Sequence, residues 1–302
     1  MKIVFMGTPD FAVTALEALI QAGKNIAAVV TVADKPAGRG QKVQESAVKQ
    51  YAVAHNLPVL QPIKLKDPVF LDKLRAIQAD LFVVVAFRML PDIVWQMPPK
   101  GTINLHASLL PKYRGAAPIH HAIINGEKET GVTTFFLKQE IDTGNIIFSD
   151  RLPIADDETT GNLYQRLGVL GANLLVKTVK AIEEGNYTET PQSEAIMPIP
   201  APKIFKDFCE INWSRPNAVV YNHIRGLSPY PTAFTSLQGK TLKVFNGQPE
   251  SVLPTIAAGE FLTDGKTFLK FATNDGYIYL TDIQYEGKKR MAITDFLRGV
   301  RL

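Results

Sequence analysis

Asn104 and His106 stand two positions apart in the stretch TINLHASLLPKYRGAAPIHHA, residues 102 to 122, which otherwise reads as a buried strand running into a loop. If TINLHA is a strand its side chains alternate, so Asn104 and His106 share one face while Ile103 and Leu105 take the other. Further on, KQEIDTGNII sets Asp142 in a Thr-Gly turn between the strand-like VTTFFL and NIIFSD. Asp and Gly are ordinary turn residues, and an Asn and a His that merely satisfy nearby backbone fit the spacing as well. A carboxylate brought beside the pair would orient the imidazole and stabilise its positive charge, and the Asn amide could donate to a developing oxyanion. These groups suit acyl transfer from an already activated donor to an amine. The amine is itself the nucleophile, so an oxyanion stabiliser and a proton shuttle suffice, with no nucleophilic Ser or Cys and no metal.

Such a face needs a sheet to carry it. The run Ile3 to Met6 reads as a fully buried strand, and GTPDFAVTALEALIQAG then offers Thr8 as N-cap, Pro9 as first helical residue and Gly23 past the helix end. A second buried strand is expected over 26–32, helices over 44–55 and 68–78, and a strand over 81–87. Continuous β-branched runs alternating with helices predict an α/β domain, a doubly wound, mostly parallel, Rossmann-like sheet over residues 1–188. It closes with a helix over 159–184 that carries Leu163, Leu167, Leu170 and Leu174 at helical spacing. Pro191, Pro198, Pro200 and Pro202 mark a linker over 189–205. Beyond it, one helix over 216–226 and the short pieces AFTSL, KTLKVFN, GEFLTD, TFLKFAT and GYIYLTDI predict a small antiparallel β-barrel over 206–302, OB-like in kind.

Composition bounds the class. The chain has 302 residues, 46% of them hydrophobic, enough for one large domain or two ordinary ones. A formal net charge of +4 permits an anionic partner without identifying one. The single cysteine, Cys209, excludes an internal disulfide and a Cys-rich metal site, and suits a reducing compartment, so a cytoplasmic location is expected. The apolar run at the amino terminus is too short for a signal peptide core or a membrane span.

INLHASLLPKYRGAAP together with IDTGNII resembles the folate-dependent formyltransferases, and the likeness extends over nearly the whole chain. It runs from KIVFMGTPDFA through DKPAGRGQK and the Pro-rich linker to GLSPYPTAF, in the family's order. The resemblance implies that Asn104, His106 and Asp142 form a catalytic trio and that no metal is used. It implies a donor, 10-formyltetrahydrofolate, lined by Ala86 to Pro91 through Phe87, Met89 and Leu90, and by Ser108, Leu109, Leu110 and Pro111. It further implies that the acceptor is an initiator methionyl-tRNA, with Arg39 making the main contact to its acceptor end. No obligatory protein partner is implied. Two positions depart from the family's usual pattern: Glu140 stands where a glycine is common, and Asn145 where an Asp is common. Both bear on the loop around Asp142.

Lys35, Arg39 and Lys42 lie in a basic loop with two glycines and a proline, and Lys288, Lys289 and Arg290 are adjacent in the carboxyl-terminal part. On composition either set reads as solvated surface; as RNA contacts, both would give salt-dependent binding. GTPDFA carries only Gly7 of a dinucleotide fingerprint, which excludes an NAD oxidoreductase reading. His120 and His121 are neighbours on a predicted helix, face different ways and lack metal-ligand spacing. His55 and His223 have no partner pattern, Cys209 reads as a small buried residue, and the aromatics of YPTAF read as core. Three rivals stay open: a formyltransferase acting on an amino sugar nucleotide, a non-catalytic RNA-binding protein and a formyl-folate hydrolase.

Overall fold

The computed structural model describes residues 1–37, 42–193, 195 and 197–302. In chain order the first part comprises β1 (Lys2–Gly7), α1 (Asp10–Gln21), β2 (Asn25–Val30), β3 (Lys35–Ala37), β4 (Lys42–Gln44), α2 (Ala47–Ala54), β5 (Val59–Leu60), α3 (Pro68–Ala76), β6 (Leu81–Val85) and α4 (Asp92–Trp95). It continues through β7 (Thr102–His106), β8 (Arg114–Gly115), α5 (Pro118–Ile124), β9 (Glu129–Phe136), β10 (Ile146–Pro153) and α6 (Thr160–Glu184). The remainder holds β11 (Pro200–Ala201), α7 (Asn217–Gly226), β12 (Ala233–Leu237), β13 (Lys240–Glu250), β14 (Phe261–Thr263), β15 (Leu269–Ala272), β16 (Tyr277–Tyr285), β17 (Met291–Ala292) and α8 (Ile293–Gly299).

Packing groups these elements into two compact units that are not contiguous in sequence. One takes residues 1–115, 131–152 and 164–200; the other takes 116–130, 153–163 and 201–302. This differs from a division at residues 188 and 206. Gly226 at the end of α7 lies so close to α5 that an added Cβ would meet Ile124 at 2.5 Å, so α5 belongs with the carboxyl-terminal core. The Pro-rich stretch divides too, because Thr190 exchanges backbone hydrogen bonds of 2.8 and 2.9 Å with Ile146.

The first unit is built on a sheet of order β10-β9-β7-β6-β1-β2-β5. Strands β5, β2, β1, β6 and β7 run parallel, and β9 pairs antiparallel to β7. Both faces are covered, which is why Ile3, Val4, Phe5 and Met6 are fully buried. On one face Val4, Met6, Ala28, Val30, Phe82 and Val84 pack on Phe70, Leu71 and Leu74 of α3. On the other, Leu105 and Val132 lie against Gly171 of α6, and Thr134 bonds Thr178 at 2.8 Å.

The start of α1 differs from the Thr8 cap expected. Pro9 is the N-cap and makes no side-chain bond; the Phe11 N–H donates instead to the Tyr164 hydroxyl at 2.9 Å. Tyr164 supplies from α6 the acceptor that the local sequence lacks.

The second unit carries an antiparallel sheet of order β12-β13-β16-β15-β14, with β17 on β16, curled as a half-barrel. Its core includes Val220 and Ile224 of α7, Phe296 and Leu297 of α8, and Trp213 stacked on Phe271 at 4.6 Å. Among the described residues no helix is long and apolar enough to cross a membrane.

Candidate active site

The strand order reverses at β1: β2 and β5 lie on one side, β6 and β7 on the other. In an open parallel sheet the loops leaving the carboxyl ends of strands at such a point diverge and leave a crevice. Asn104 and His106 sit at this end of β7, where register sets Asn104 between Val84 of β6 and Phe135 of β9, and His106 opposite Thr133. Asn104 is half-buried, and its amide makes no hydrogen bond among the described residues. His106 is buried, and its Nε2 lies 2.8 Å from the Tyr113 carbonyl. A carbonyl only accepts, so Nε2 carries the hydrogen and the neutral ring leaves Nδ1 as its open atom.

Asp142 joins the pair from the loop between β9 and β10. Its Oδ2 is 3.8 Å from His106 Nδ1, with the side chains 11% and 7% exposed. That separation is longer than a hydrogen bond. The ring's hydrogen bond therefore goes to Tyr113, while Asp142, expected to orient the imidazole, faces Nδ1 across a short gap as a charge. Oδ2 itself accepts from the Gly115 N–H at 2.8 Å. Asp142 has φ +54 and Tyr113 φ +62, a region that side-chain-bearing residues visit sparingly and Asp tolerates better than most. The glycine of Asp-Thr-Gly has a steric cause, since a Cβ on Gly144 would fall 1.6 Å from the Phe136 carbonyl oxygen.

The two departures from the family pattern have distinct surroundings. Glu140 is exposed, and its carbonyl accepts from Thr143 Oγ1 at 3.1 Å. Asn145 bridges two charges, accepting from Lys138 at 2.9 Å and donating to Glu189 at 3.0 Å. Each supports the loop without reaching His106.

The segments expected to line the donor leave neighbouring strands at the same edge. After β6, Phe87 and Leu90 pack on the sheet core while Met89 is 75% exposed. Arg88, which no motif singled out, ties this loop to the carbonyls of Pro62 and Ile63. Burial pushes its guanidinium pKa down, and its Nε has no hydrogen-bond partner among the described residues. After β7, Leu110 and Pro111 are buried and Leu109 is half-buried. The Ser108 hydroxyl is committed within its own turn, donating to the Lys112 carbonyl at 2.7 Å. Thr133, opposite His106, donates to the Ser108 carbonyl at 2.7 Å and accepts from the Leu110 N–H at 3.3 Å, which fixes this turn. Thr133 carried no signal in the sequence beyond its place in a strand.

Of the basic residues, Lys35 is exposed on β3 and Lys42 begins β4, the two strands pairing antiparallel; Arg39 lies outside the described residues. Lys288 and Lys289 are exposed. Arg290 is already neutralised, forking onto Asp282 at 2.5 to 3.0 Å and lying over Phe245 at 4.1 Å. His121 is bonded to the Pro202 carbonyl and His120 to that of Tyr230. Among the described residues there is no group of His, Cys, Asp and Glu able to hold a metal ion. Cys209 is buried, as its composition suggested, and burial pushes its thiol pKa up.

Residues 1–179 match the model of the formyl transferase domain, and residues 203–301 that of the formyl transferase C-terminal domain. A methionyl-tRNA formyltransferase of Bacteroides fragilis is 52% identical over 310 residues, covering 100% of this chain and 96% of its own length. One from Flavobacterium johnsoniae is 47% identical over 304 residues, covering 99% and 96%. Among solved structures, HypX from Aquifex aeolicus in complex with tetrahydrofolic acid superposes with a TM-score of 0.68 at 19% identity, over 99% of this chain and 48% of that one. An N-formyltransferase from Helicobacter canadensis, in complex with folinic acid and dTDP-3-aminofucose, gives 0.67 at 20% identity over 96% and 100%. At these identities the two structures establish a shared fold.

Proposed function

The chain belongs to the formyl transferase family, and from that membership we propose that it transfers the formyl group of 10-formyltetrahydrofolate to the α-amino group of an initiator methionyl-tRNA. Identity over the full chain to methionyl-tRNA formyltransferases supports this acceptor. The likeness to an enzyme in complex with an amino sugar nucleotide is one of fold.

One observation carries the chemistry: the uncommitted Asn104 amide stands beside an imidazole whose Nε2 is already bound to the Tyr113 carbonyl. The neutral amine attacks the formyl carbon, and a C–N bond forms as the carbonyl π electrons move onto oxygen. Asn104 Nδ2 donates to that oxyanion. The attacking nitrogen releases its proton to His106 Nδ1, and Asp142 across the 3.8 Å gap stabilises the resulting imidazolium. The bond to the folate nitrogen then breaks; that nitrogen takes the electron pair and receives the proton from His106. Formyl-methionyl-tRNA and tetrahydrofolate leave, and no covalent enzyme intermediate is needed.

The exposed Lys35, Lys288 and Lys289, with Arg39 and Lys42, are the residues we assign to tRNA phosphate contacts. Arg290, bound to Asp282, supports the turn that presents the two lysines. The test is transfer of labelled formyl from 10-formyltetrahydrofolate to purified methionyl-tRNA, with His106→Ala, uncharged tRNA and an amino sugar nucleotide as comparisons. Transfer that requires both the charged tRNA and His106 is expected; transfer to the sugar alone would replace the acceptor, and full activity of His106→Ala would overturn the mechanism.

A further inference from the structure

We propose that Gln192 is a positioning residue for this reaction, acting through the loop that carries Asp142; the proposal rests on the reading of Asp142 as a catalytic residue. Gln192 stands in the Pro-rich stretch that reads as a linker. Its Nε2 donates to the carbonyls of Asp142 at 2.7 Å and Gly144 at 3.0 Å, and its Oε1 accepts from Arg114 Nε at 3.1 Å and Nη2 at 2.6 Å. A primary amide has two N–H donors and one two-lone-pair oxygen, so all four bonds can be made at once.

These four hydrogen bonds join the two backbone segments that meet at the imidazole. Arg114 lies between Tyr113, whose carbonyl bonds His106, and Gly115, whose N–H bonds Asp142 Oδ2. Asp142 and Tyr113 both hold left-handed backbone conformations, which surrounding bonds must maintain. The flanking residues of the same stretch add to this, Thr190 pairing with Ile146 and Ile199 accepting from the Tyr113 N–H at 2.5 Å. An amide suits the position because its oxygen faces a guanidinium and its nitrogen faces two carbonyls. Glutamate would keep the bond to Arg114 and lack both donors; alanine would make none of the four.

The consequence concerns the 3.8 Å between Asp142 and His106. A displacement of the Asp142 loop by about 1 Å is of the size that costs roughly a hundredfold in rate. The experiment measures steady-state formyl transfer to methionyl-tRNA for Gln192→Ala and Gln192→Glu in the full chain, each also combined with Asp142→Asn. For both single variants kcat is expected to fall about tenfold to a hundredfold, with KM for the folate donor within about twofold of the parent. In the Asp142→Asn background the same changes are expected to cost less than about twofold, because the group they position is gone. An equal cost in both backgrounds, or a rise in KM without loss of kcat, would overturn the proposal. Gln192→Glu keeps side-chain volume and the bond to Arg114, so it reports on the missing donors should Gln192→Ala fail to fold. Unchanged turnover of Asp142→Asn alone would instead overturn the reading beneath the proposal.

Discussion

An oxyanion forming beside Asn104 meets a donor that no group among the described residues competes for. Its half-burial also limits the water that could replace the hydrogen bond. Asn104→Ala is therefore expected to lower kcat by about a hundredfold to a thousandfold, with binding of the folate donor retained. Single-turnover transfer together with donor binding by fluorescence titration checks this, and near-normal turnover would remove Asn104 from the mechanism. At this scale the sequence was informative wherever a side chain does the chemistry. Alternation along TINLHA already set Asn104 and His106 on one face, and Asp142 carried its turn with it. The partners that orient them were not legible, because Tyr113 acts through a carbonyl whose aim depends on φ +62. Gln192 was hidden likewise, since nothing near it in sequence announces the loop it holds.

Individual elements were legible in proportion to their burial. Strand β6 follows from a continuous apolar run, and α2 and α3 begin at capping residues, Ser46 accepting from Lys49 and Asp67 from Val69. The expected strand over 81–87 ends at Val85 because Ala86 turns to φ +47, which frees the following loop to leave the sheet edge. The turn between β16 and β17 shows what adjacency in sequence conceals. Three basic residues are consecutive, yet Arg290 is ion-paired to Asp282 while Lys288 and Lys289 have no ion-pair partner among the described residues. Reversing Lys288 and Lys289 to Glu is expected to weaken methionyl-tRNA binding and to shrink the slope of log K against log salt by about 0.7 to 0.9 for each phosphate no longer neutralised. Arg290→Gln is expected to leave that slope near its parent value. Binding titrations across a salt series measure both, and an unchanged slope for the double lysine variant would leave these residues as solubility charge.

At the scale of the whole molecule, the order of elements predicted the fold class, but not that α5 and residues 153–163 join the carboxyl-terminal unit. Helix α5 shows why: its apolar positions say that it is covered and do not say by what, and the close approach at Gly226 decides it. That unit also stores a response to pH that composition did not show. Burial pushes the pKa of His120 and His223 down, against the opposing effect of backbone hydrogen bonds to Tyr230 and Cys209, and the charge of His121 lowers His120 further. The Nε2 of His223 is buried with no hydrogen-bond partner among the described residues. Both rings are thus favoured as neutral when folded, whereas an unfolded histidine titrates near about 6.5. As pH falls through that value the unfolded chain binds protons that the folded unit resists, so the stability present above about 6.5 is lost progressively on acidification until the depressed folded pKa values are reached. Trp213 lies in the core of this unit and Trp95 in the other, so a Trp95→Phe chain reports the carboxyl-terminal unit through Trp213 alone. Its urea midpoint is expected to fall between about pH 7.5 and 5.5, above the range where most carboxylates protonate. His223→Phe keeps a ring against Phe208, which packs on His223 at 5.5 Å, and removes one of the two titrations. Its midpoint should depend less steeply on pH over the same interval. An equal slope in both chains would mean that His223 is not a source of the acid sensitivity, and a midpoint that rises on acidification would reverse the sign argued from burial.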